Sequence, residues 1–290
     1  AVDPHDSVGI LDSYFSEVSF FTEFERFDRH IEKLRRQSEP ERVHYVSICS
    51  PNHLHDAHIR FALRVGADAI CEKPLVLNPW NCDLLGELEE ESGRRIYPIL
   101  QLRHHPLIVK LKESLDKEKR QGKHEVSLTY VTARGKWYHY SWKGIRERSG
   151  GLATNIGIHF FDLLIWLFGP VVESELHYDD QVKSSGYLEL ERASIKWFLS
   201  IDRNDLPFDP EIEKKSTYRS IVINGGEFEF SEGFRDLHTI SYEKILAGEG
   251  FGIMQARPSI QLCHDIRVAK PAGLSSNSHP FLEAVLKRDK

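Results

Sequence analysis

The sequence predicts two domains: a doubly wound α/β domain on a parallel sheet, then an α+β domain with an open, largely antiparallel sheet. Three observations support this. The chain has 290 residues, about twice the length typical of one domain. Short apolar runs alternate with helical patterns up to residue 105, and beyond residue 124 alternating strands dominate. We therefore predict domains at residues 1–105 and 106–290.

The first domain alternates helices and strands. Helical patterns cover residues 23–36, 55–65 and 79–93, and strand patterns cover residues 43–49, 67–71 and 95–102. Strand–helix–strand units at this spacing indicate parallel pairing. Ligands of such sheets bind at the carboxyl ends of the strands, so the polar residues that follow each strand are the candidates for a site.

The second domain contains runs rich in β-branched and aromatic residues. Strand patterns cover residues 126–132, 187–191, 193–201 and 220–230, and helical patterns cover residues 154–168, 237–246, 258–268 and 280–286. Asn224-Gly225-Gly226 indicates a tight turn between two strands. Gly169-Pro170 ends the strongly apolar helix of residues 154–168.

Charge and cysteine usage narrow the possible partners. Lys and Arg number 38 and Asp and Glu number 44, for a net charge of −6, which gives no reason to expect nucleic-acid binding. No uninterrupted apolar run reaches the ~18–20 residues that span a bilayer, so we expect no membrane partner. The four cysteines form no CxxC pair, which favours free thiols in a reducing cytoplasm.

The first candidate site follows the strand of residues 43–49. Ser50, Asn52 and His55 offer hydrogen-bonding groups at the carboxyl end of that strand, and Pro51 imposes a turn there. The alternative is an Asn52 helix cap worth ~1 kcal/mol. The spacing of His53, His55 and His58 scatters them around a helix, so we predict no metal site.

The second candidate is Glu72-Lys73-Pro74, directly after the strand of residues 67–71. A lysine at the mouth of a buried strand can polarise or protonate a carbonyl or alkoxide, because loss of hydration lowers its pKa. Pro74 keeps Lys73 out of helical geometry. The alternative is a structural Glu72–Lys73 pair on a loop.

The third candidate lies at the start of the apolar helix. Asn155 and His159 are spaced i, i+4, which predicts one shared helix face, and His159 and Asp162 are spaced i, i+3. A histidine there can act as a general acid or base. The alternative is a core histidine that Asp162 or a carbonyl satisfies. Gly150 and Gly151 would allow a close approach of backbone or ligand.

A fourth segment, residues 134–143, combines cations with aromatic rings. Its candidate binding residues are Lys136, Trp137, Tyr138, Trp142 and Lys143. Lys and Arg suit phosphates, while Trp and Tyr stack on a base or sugar, so a phosphate-bearing small substrate fits this segment. An oligomer contact is the alternative.

These motifs together resemble the Gfo/Idh/MocA family of NAD(P)-dependent sugar oxidoreductases. The matching residues are Ser50-Pro51-Asn52 with His55, then Glu72-Lys73-Pro74, then Gly150-Gly151 with Gly157-Ile158-His159 and Asp162. The segments 71–75, 100–105, 132–138, 141–144 and 155–162 are similar to one branch, the UDP-N-acetylglucosaminuronate 3-dehydrogenases. The resemblance covers nearly the whole chain.

The resemblance implies an NAD-dependent reaction on a sugar nucleotide held between the two domains. The C3 hydroxyl of a UDP-N-acetylhexosaminuronic acid would give a hydride to NAD. The resulting 3-keto sugar would go to a later aminotransferase in lipopolysaccharide and O-antigen synthesis. Lys73 would polarise the reacting oxygen and His159 would take its proton. Asn155 would position the substrate, because an amide replaces the aspartate that many members carry.

The resemblance also implies the cofactor contacts. The expected set comprises Asp3, Ser50, Asn52, His55, Glu72, Lys73, Gln101 and Arg103. Glu72 would hold the nicotinamide ribose, and Arg103 would lie near the boundary between nicotinamide and substrate. Asp3 would hold the adenosine ribose, which favours NAD over NADP because an acid repels a 2′-phosphate.

The family's glycine-rich phosphate loop is the main departure. The chain begins with Ala-Val-Asp rather than Met, and Asp3 stands where the second strand of the Rossmann-type domain would end. The sequence therefore predicts a domain that lacks its first strand, phosphate loop and first helix. We expect a homo-oligomer, a dimer or tetramer. Alternatives are another sugar or inositol dehydrogenase of the family, a non-catalytic binding or regulatory member, and a chain that does not bind NAD.

Overall fold

Three short parallel strands form the centre of the first domain. They are β1 (Tyr45–Ile48), β2 (Asp68–Cys71) and β3 (Ile96–Pro98), in that order across the sheet. The computed structural model describes residues 1–228 and 236–288, and the side chains of all of these except residues 6–8. Tyr45 pairs with Asp68 and Ala69 pairs with Ile96 in parallel register, which confirms the predicted parallel sheet.

Four helices accompany these strands. They are α1 (Phe24–Arg35), α2 (His55–Arg64), α3 (Pro79–Ser92) and α4 (Pro106–Lys117). Helix α2 buries Ile59, Ala62 and Leu63 on the face that its sequence pattern predicts. Gly93 ends α3 with a φ of 63°, a left-handed conformation that suits glycine.

The third strand is shorter than predicted. The sequence predicts a strand over 95–102, but β3 ends at Pro98, and a 3₁₀ turn follows at Gln101–His104. Ile99, Leu100 and Leu102 are nevertheless buried. An apolar run indicates burial but does not distinguish a strand from a buried turn, which explains this error.

The second domain contains a six-stranded open sheet in the order β5-β6-β7-β4-β8-β9. The strands are β4 (His124–Thr132), β5 (Val171–Asp179), β6 (Lys183–Leu190), β7 (Ala193–Ser200), β8 (Thr217–Ile223) and β9 (Gly226–Glu227). Only the pairing of β4 with β7 is parallel among these strands, so the sheet is largely antiparallel, as predicted.

The predicted turn at Asn224-Gly225 joins β8 to β9. Both residues have positive φ values, 52° and 82°, as a tight hairpin turn requires. The predicted strand over 220–230 is therefore two strands, and residues 229–230 lie outside the described residues. Strand β5 has no clear alternation in its exposed first half and was not predicted.

Further helices follow β4 in the chain. They are α5 (Lys136–Tyr140), α6 (Arg146–Ser149), α7 (Ile158–Phe168), α8 (Pro210–Glu213), α9 (Leu237–Leu246), α10 (Ile253–Val268) and α11 (Pro280–Arg288). A π-helical turn at Ala153–Gly157 precedes α7. The stretch Arg146–Phe168 is long and apolar enough to cross a membrane, but 78% of its most apolar window is buried inside the protein.

The two faces of the six-stranded sheet pack against different helices. Helix α7 lies on one face, where the Phe161 ring meets the Trp197 ring edge-on with centroids 5.2 Å apart. Helix α11 covers the other face, where Leu282 and Val285 pack with Phe198. The sheet is thus buried on both sides, and its α7 face positions the residues described below.

Gly186 of β6 provides a test of this packing. A Cβ at this position would overlap the Glu175 carbonyl and lie 2.8 Å from Trp197 Cζ2. We expect Gly186→Ala to lower the free energy of unfolding by about 1–3 kcal/mol, measured by urea denaturation. Gly86→Ala is the control, because Gly86 in α3 has open space around it; it should stabilise by up to about 1 kcal/mol. Equal effects of the two substitutions would contradict the packing.

Candidate active site

A hydrogen bond between Lys73 and Asn155 joins the two domains at the centre of the site. The Lys73 ammonium donates to the backbone carbonyl of Asn155 over 2.8 Å. Lys73 follows β2, and its peptide bond to Pro74 is cis. Asn155 lies in the π-helical turn before α7, a geometry that recurs at functional sites.

The Asn155 side chain is held from two sides. Its amide nitrogen donates to the Tyr138 hydroxyl over 2.9 Å, and its amide oxygen accepts from the Asn52 amide over 3.3 Å. Asn52 also donates to the Ser149 carbonyl over 2.9 Å. The predicted site residues Asn52, Lys73, Tyr138 and Asn155 therefore form one connected network, although they come from four distant segments.

The segment that carries Asn155 and His159 is not one regular α-helix throughout. Asn155 lies in the π-helical turn and His159 in α7. Both residues still line the same cavity. Gly150 and Gly151 have φ values of 83° and 80° at the entry to this segment, and a Cβ on Gly150 would lie 2.6 Å from Thr154.

Burial sets the charges of Lys73 and His159. Burial lowers the pKa of Lys73 to about 8, although Glu72 opposes the shift. Burial also lowers the pKa of His159 well below its usual value, and the positive charges of Lys73 and Arg219 act in the same direction. His159 is consequently neutral at neutral pH and able to accept a proton, while most of Lys73 is charged.

Asp162 pairs with Arg103, not with His159. The Arg103 guanidinium donates to both carboxylate oxygens of Asp162 over 2.9 and 2.7 Å, and both side chains are 6% exposed. Arg103 also donates to the Gln255 carbonyl over 2.9 Å and lies over the Phe251 ring. These contacts bind α7 and α10 to the turn after β3, while the predicted cofactor contact of Arg103 stays a prediction.

Glu72 has a partner that the sequence interpretation missed. His238 Nε2 lies 3.0 Å from Glu72 Oε1. Burial would raise the pKa of Glu72, but the hydrogen bond from His238 and the charges of His238 and Lys73 bring it below the usual value. His238 and Tyr242 are spaced i, i+4 on α9, and Tyr242 contacts the Ser47 hydroxyl. The i, i+4 spacing of His238 and Tyr242 was the only local sign of a shared helix face. It could not identify their partners Glu72 and Ser47, which lie 166 and 195 residues away in the chain.

The loop after β1 is held by internal contacts. Both ring nitrogens of His55 face backbone carbonyls, at 2.7 Å from Pro74 O and 2.8 Å from Ser50 O. The Ser50 hydroxyl lies 2.8 Å from His58 Nδ1. His55 therefore ties this loop to the Lys73-Pro74 loop, and the cofactor roles of Ser50 and His55 stay predictions. No group of three or more potential metal ligands occurs among the described residues.

Asp3 lies apart from the three-stranded sheet. Val2 forms an isolated parallel bridge with Phe21, and the Asp3 carboxylate accepts from the His5 backbone nitrogen over 2.8 Å. The contact of Asp3 with an adenosine ribose stays a prediction.

A cavity of about 160 Å³ lies at the meeting point of Lys73 and α7. The predicted residues on its walls are Lys73, Gln101, Asn155 and His159, together with Arg134 from the predicted segment of residues 134–143. Two polar wall residues, Tyr130 and Arg219, were not predicted, and the apolar residues Leu102, Ile156 and Phe160 complete the lining. Tyr130 and Arg219 belong to facing strands, so a local sequence pattern does not bring them together. The cavity has the groups for binding an oxyanion and moving a proton.

The segment around α5 enters the site only in part. Tyr138 reaches Asn155, whereas Trp137 and the neighbouring Tyr140 are 78% and 81% exposed. Within the described chain the cavity walls do not include Lys136, Trp137, Trp142 or Lys143. Lys143 lies over the Trp142 ring, and its charge acts on Lys73. Substrate binding by these four residues stays a prediction.

Comparison with protein families covers both domains. Residues 2–99 match the Gfo/Idh/MocA "Oxidoreductase family, NAD-binding Rossmann fold", and residues 122–203 match the "Oxidoreductase family, C-terminal alpha/beta domain". The putative oxidoreductase YteT of Bacillus subtilis (strain 168) is 28% identical over 166 residues, which are 57% of this chain and 38% of YteT. The match thus spans well under half of that curated relative.

Solved structures extend the similarity to nearly the whole chain. The WlbA (WbpB) dehydrogenase from Thermus thermophilus, in complex with NAD and UDP-GlcNAcA, has 52% identity and a TM-score of 0.91. That alignment covers 97% of this chain and 90% of the other. The same dehydrogenase in complex with NAD and alpha-ketoglutarate gives 53% identity, the same coverage and a TM-score of 0.91.

The buried Arg103–Asp162 pair provides a test of how the site is held. We expect Asp162→Ala to lower the free energy of unfolding by about 3–5 kcal/mol, because it leaves a guanidinium buried without its carboxylate. The control is Asp83→Ala, which breaks the Arg257–Asp83 pair with 32% and 52% exposed side chains; it should cost less than about 1 kcal/mol. Urea denaturation measures both, and equal losses would contradict the structural role.

Proposed function

Because this chain belongs to the Gfo/Idh/MocA family of oxidoreductases, we propose that it oxidises the C3 hydroxyl of a UDP-N-acetylhexosaminuronic acid with NAD, giving the 3-keto sugar nucleotide. The observation that carries this proposal is the cavity in which Lys73 and His159 meet beside Asn155. The similarity to a dehydrogenase solved with NAD and UDP-GlcNAcA supports the choice of substrate.

Lys73 binds the reacting oxygen in this proposal. Its ammonium group is anchored to the Asn155 carbonyl, which aims the amine into the cavity and keeps two further N–H donors for a ligand. A cation beside the C3 oxygen stabilises the negative charge that develops as the hydroxyl loses its proton. Because burial lowers the pKa of Lys73, this cation is also more acidic than an ordinary lysine.

His159 accepts the proton of the C3 hydroxyl. Burial and the charge of Lys73 keep its imidazole neutral, which is the form that a base requires. Asn155 cannot serve as the base, since an amide does not take up a proton. We propose that Asn155, whose side chain is held by Tyr138 and Asn52, positions the sugar, while its backbone carbonyl holds the Lys73 ammonium.

NAD supplies the hydride acceptor when it is bound. Glu72 follows β2 at the carboxyl end of the sheet, beside Lys73, and its pKa is lowered, so its carboxylate is ionised. This is the feature of the site that suits NAD. An ionised carboxylate accepts hydrogen bonds from ribose hydroxyls. We propose that Ser50, Asn52, His55, Gln101 and Arg103 shape the same region.

The exposed aromatic rings of α5 favour a homo-oligomer. Trp137 and Tyr140 are 78% and 81% exposed, and large aromatic residues are enriched at protein interfaces. We propose a dimer or tetramer in the cytoplasm. We also propose that the 3-keto product is the substrate of an aminotransferase of lipopolysaccharide sugar synthesis.

Turnover tests the reaction. We expect reduction of NAD at 340 nm with UDP-N-acetylglucosaminuronic acid, and a fall of about 10²- to 10⁴-fold in kcat for Lys73→Ala and for His159→Ala. His44→Ala should keep the wild-type rate, since His44 is exposed and precedes β1. Activity with unphosphorylated sugars or inositols alone would favour a different dehydrogenase of the family, and wild-type rates in either variant would refute the assigned roles.

The pH profile tests the state of Lys73. The Lys73 cation is lost as the pH rises through about 8, so kcat for oxidation should decline above that pH. Lys73→Arg keeps its charge over the whole range measured, and should show a lower rate with no decline between pH 7 and about 9.5. A wild-type rate that rises through pH 8 would instead make the neutral amine of Lys73 the base.

A further inference from the structure

Arg219 lies in the cavity wall that faces α7. It belongs to β8 and pairs in antiparallel register with Tyr130 of β4, so the two side chains project from the same face of the sheet. The same face carries Leu128, which is buried in the main core with Phe160 of α7. The sheet register therefore directs Arg219 toward His159 and away from α11.

Two aromatic rings lie against the Arg219 guanidinium. Its central carbon lies 5.6 Å from the centroid of the Tyr130 ring and 5.8 Å from that of the Phe160 ring. Contacts of this kind hold a guanidinium over the ring face and limit its rotation. A guanidinium held in one plane is suited to a carboxylate, whose two oxygens match two parallel N–H donors.

The charges around the cavity favour an anionic ligand. Lys73, Arg134 and Arg219 all line it, and no Asp or Glu is among the described residues of its walls. Arg219 acts on His159 through its positive charge, which places Arg219 close to the reacting end of the cavity. Clefts lined by charge of one sign concentrate ligands of the opposite sign.

The other cations have different positions. The Lys73 ammonium is bound to the Asn155 carbonyl and is assigned to the reacting oxygen. Arg134 lines the cavity but is exposed, and its charge and that of Lys143 both act on Lys73. An exposed pair of cations suits a diphosphate. Arg219 is half-buried, lines the cavity over the Phe160 ring, and its charge acts on His159.

We propose that Arg219 binds the carboxylate of the uronic acid and is thereby the residue that selects a uronic acid over the neutral hexose. This inference rests on the proposed function, because it assigns one group of the proposed substrate. The hexosamine with a CH₂OH group in place of the carboxylate lacks the charge that Arg219 pairs with. The sugar nucleotide with the carboxylate is consequently bound more tightly.

The test compares two ligands and three variants of the full chain. The ligands are UDP-N-acetylglucosaminuronic acid and UDP-N-acetylglucosamine, and the variants are Arg219→Met, Arg219→Lys and the control Lys215→Met. Lys215→Met removes one positive charge from an exposed position four residues before Arg219. Both Kd by calorimetry and kcat/KM are measured, and thermal melts confirm that each variant is folded.

We expect Arg219→Met to weaken the uronate about 30- to 100-fold in Kd and kcat/KM and to change the neutral sugar nucleotide less than about 3-fold. Arg219→Lys should restore part of the preference, and Lys215→Met should leave both ligands unchanged. An equal loss for both ligands, or no loss for the uronate, would overturn the inference.

The binding measurement tests the role of Arg219 independently of the proposed reaction. If the wild type reduces NAD with neither ligand but binds the uronate through Arg219, the proposed reaction is wrong and the carboxylate site stands. If the wild type oxidises the uronate and Arg219→Met keeps its preference, the reaction stands and the role of Arg219 is wrong.

Discussion

The hydrogen bond from the Lys73 ammonium to the Asn155 carbonyl is the contact on which the site depends. It joins the loop after β2 to the π-helical turn before α7, and so links the two domains at the cavity. The Asn155 side chain then ties in Asn52 and Tyr138. Lys73, Asn155 and His159 thereby face one cavity. Arg219 reaches the same cavity through the register of β8 with β4.

Burial changes the pKa values of Lys73 and His159 in this cavity. In water Lys73 would be fully charged and His159 partly charged at neutral pH, and neither would differ from an ordinary surface residue. In the cavity burial lowers both pKa values, and the nearby cations lower that of His159 further. The result is a neutral imidazole beside an unusually acidic ammonium group, the pair that the proposed oxidation uses. The Arg103–Asp162 pair stabilises the wall behind them.

Local patterns predicted much of the fold and part of the site. The parallel sheet, the open second sheet and the turn at Asn224-Gly225 were predicted because periodicity and turn residues act over a few positions. Lys73 and His159 were predicted as site residues because Glu72-Lys73-Pro74 and the apolar helix each carry polar groups where their burial is costly. The resemblance to a family added their roles, which the sequence pattern could not supply.

The sequence by itself determined which residues bear chemistry and which elements carry them, since both follow from residue type and spacing. Only the tertiary structure decided their partners. Asp162 is three residues from His159 yet pairs with Arg103, 59 residues away, and Glu72 meets His238, 166 residues away. Arg219 comes to the cavity through its register with Tyr130 on another strand. Contacts between distant segments depend on how the domains pack, and a local pattern holds no information about that packing.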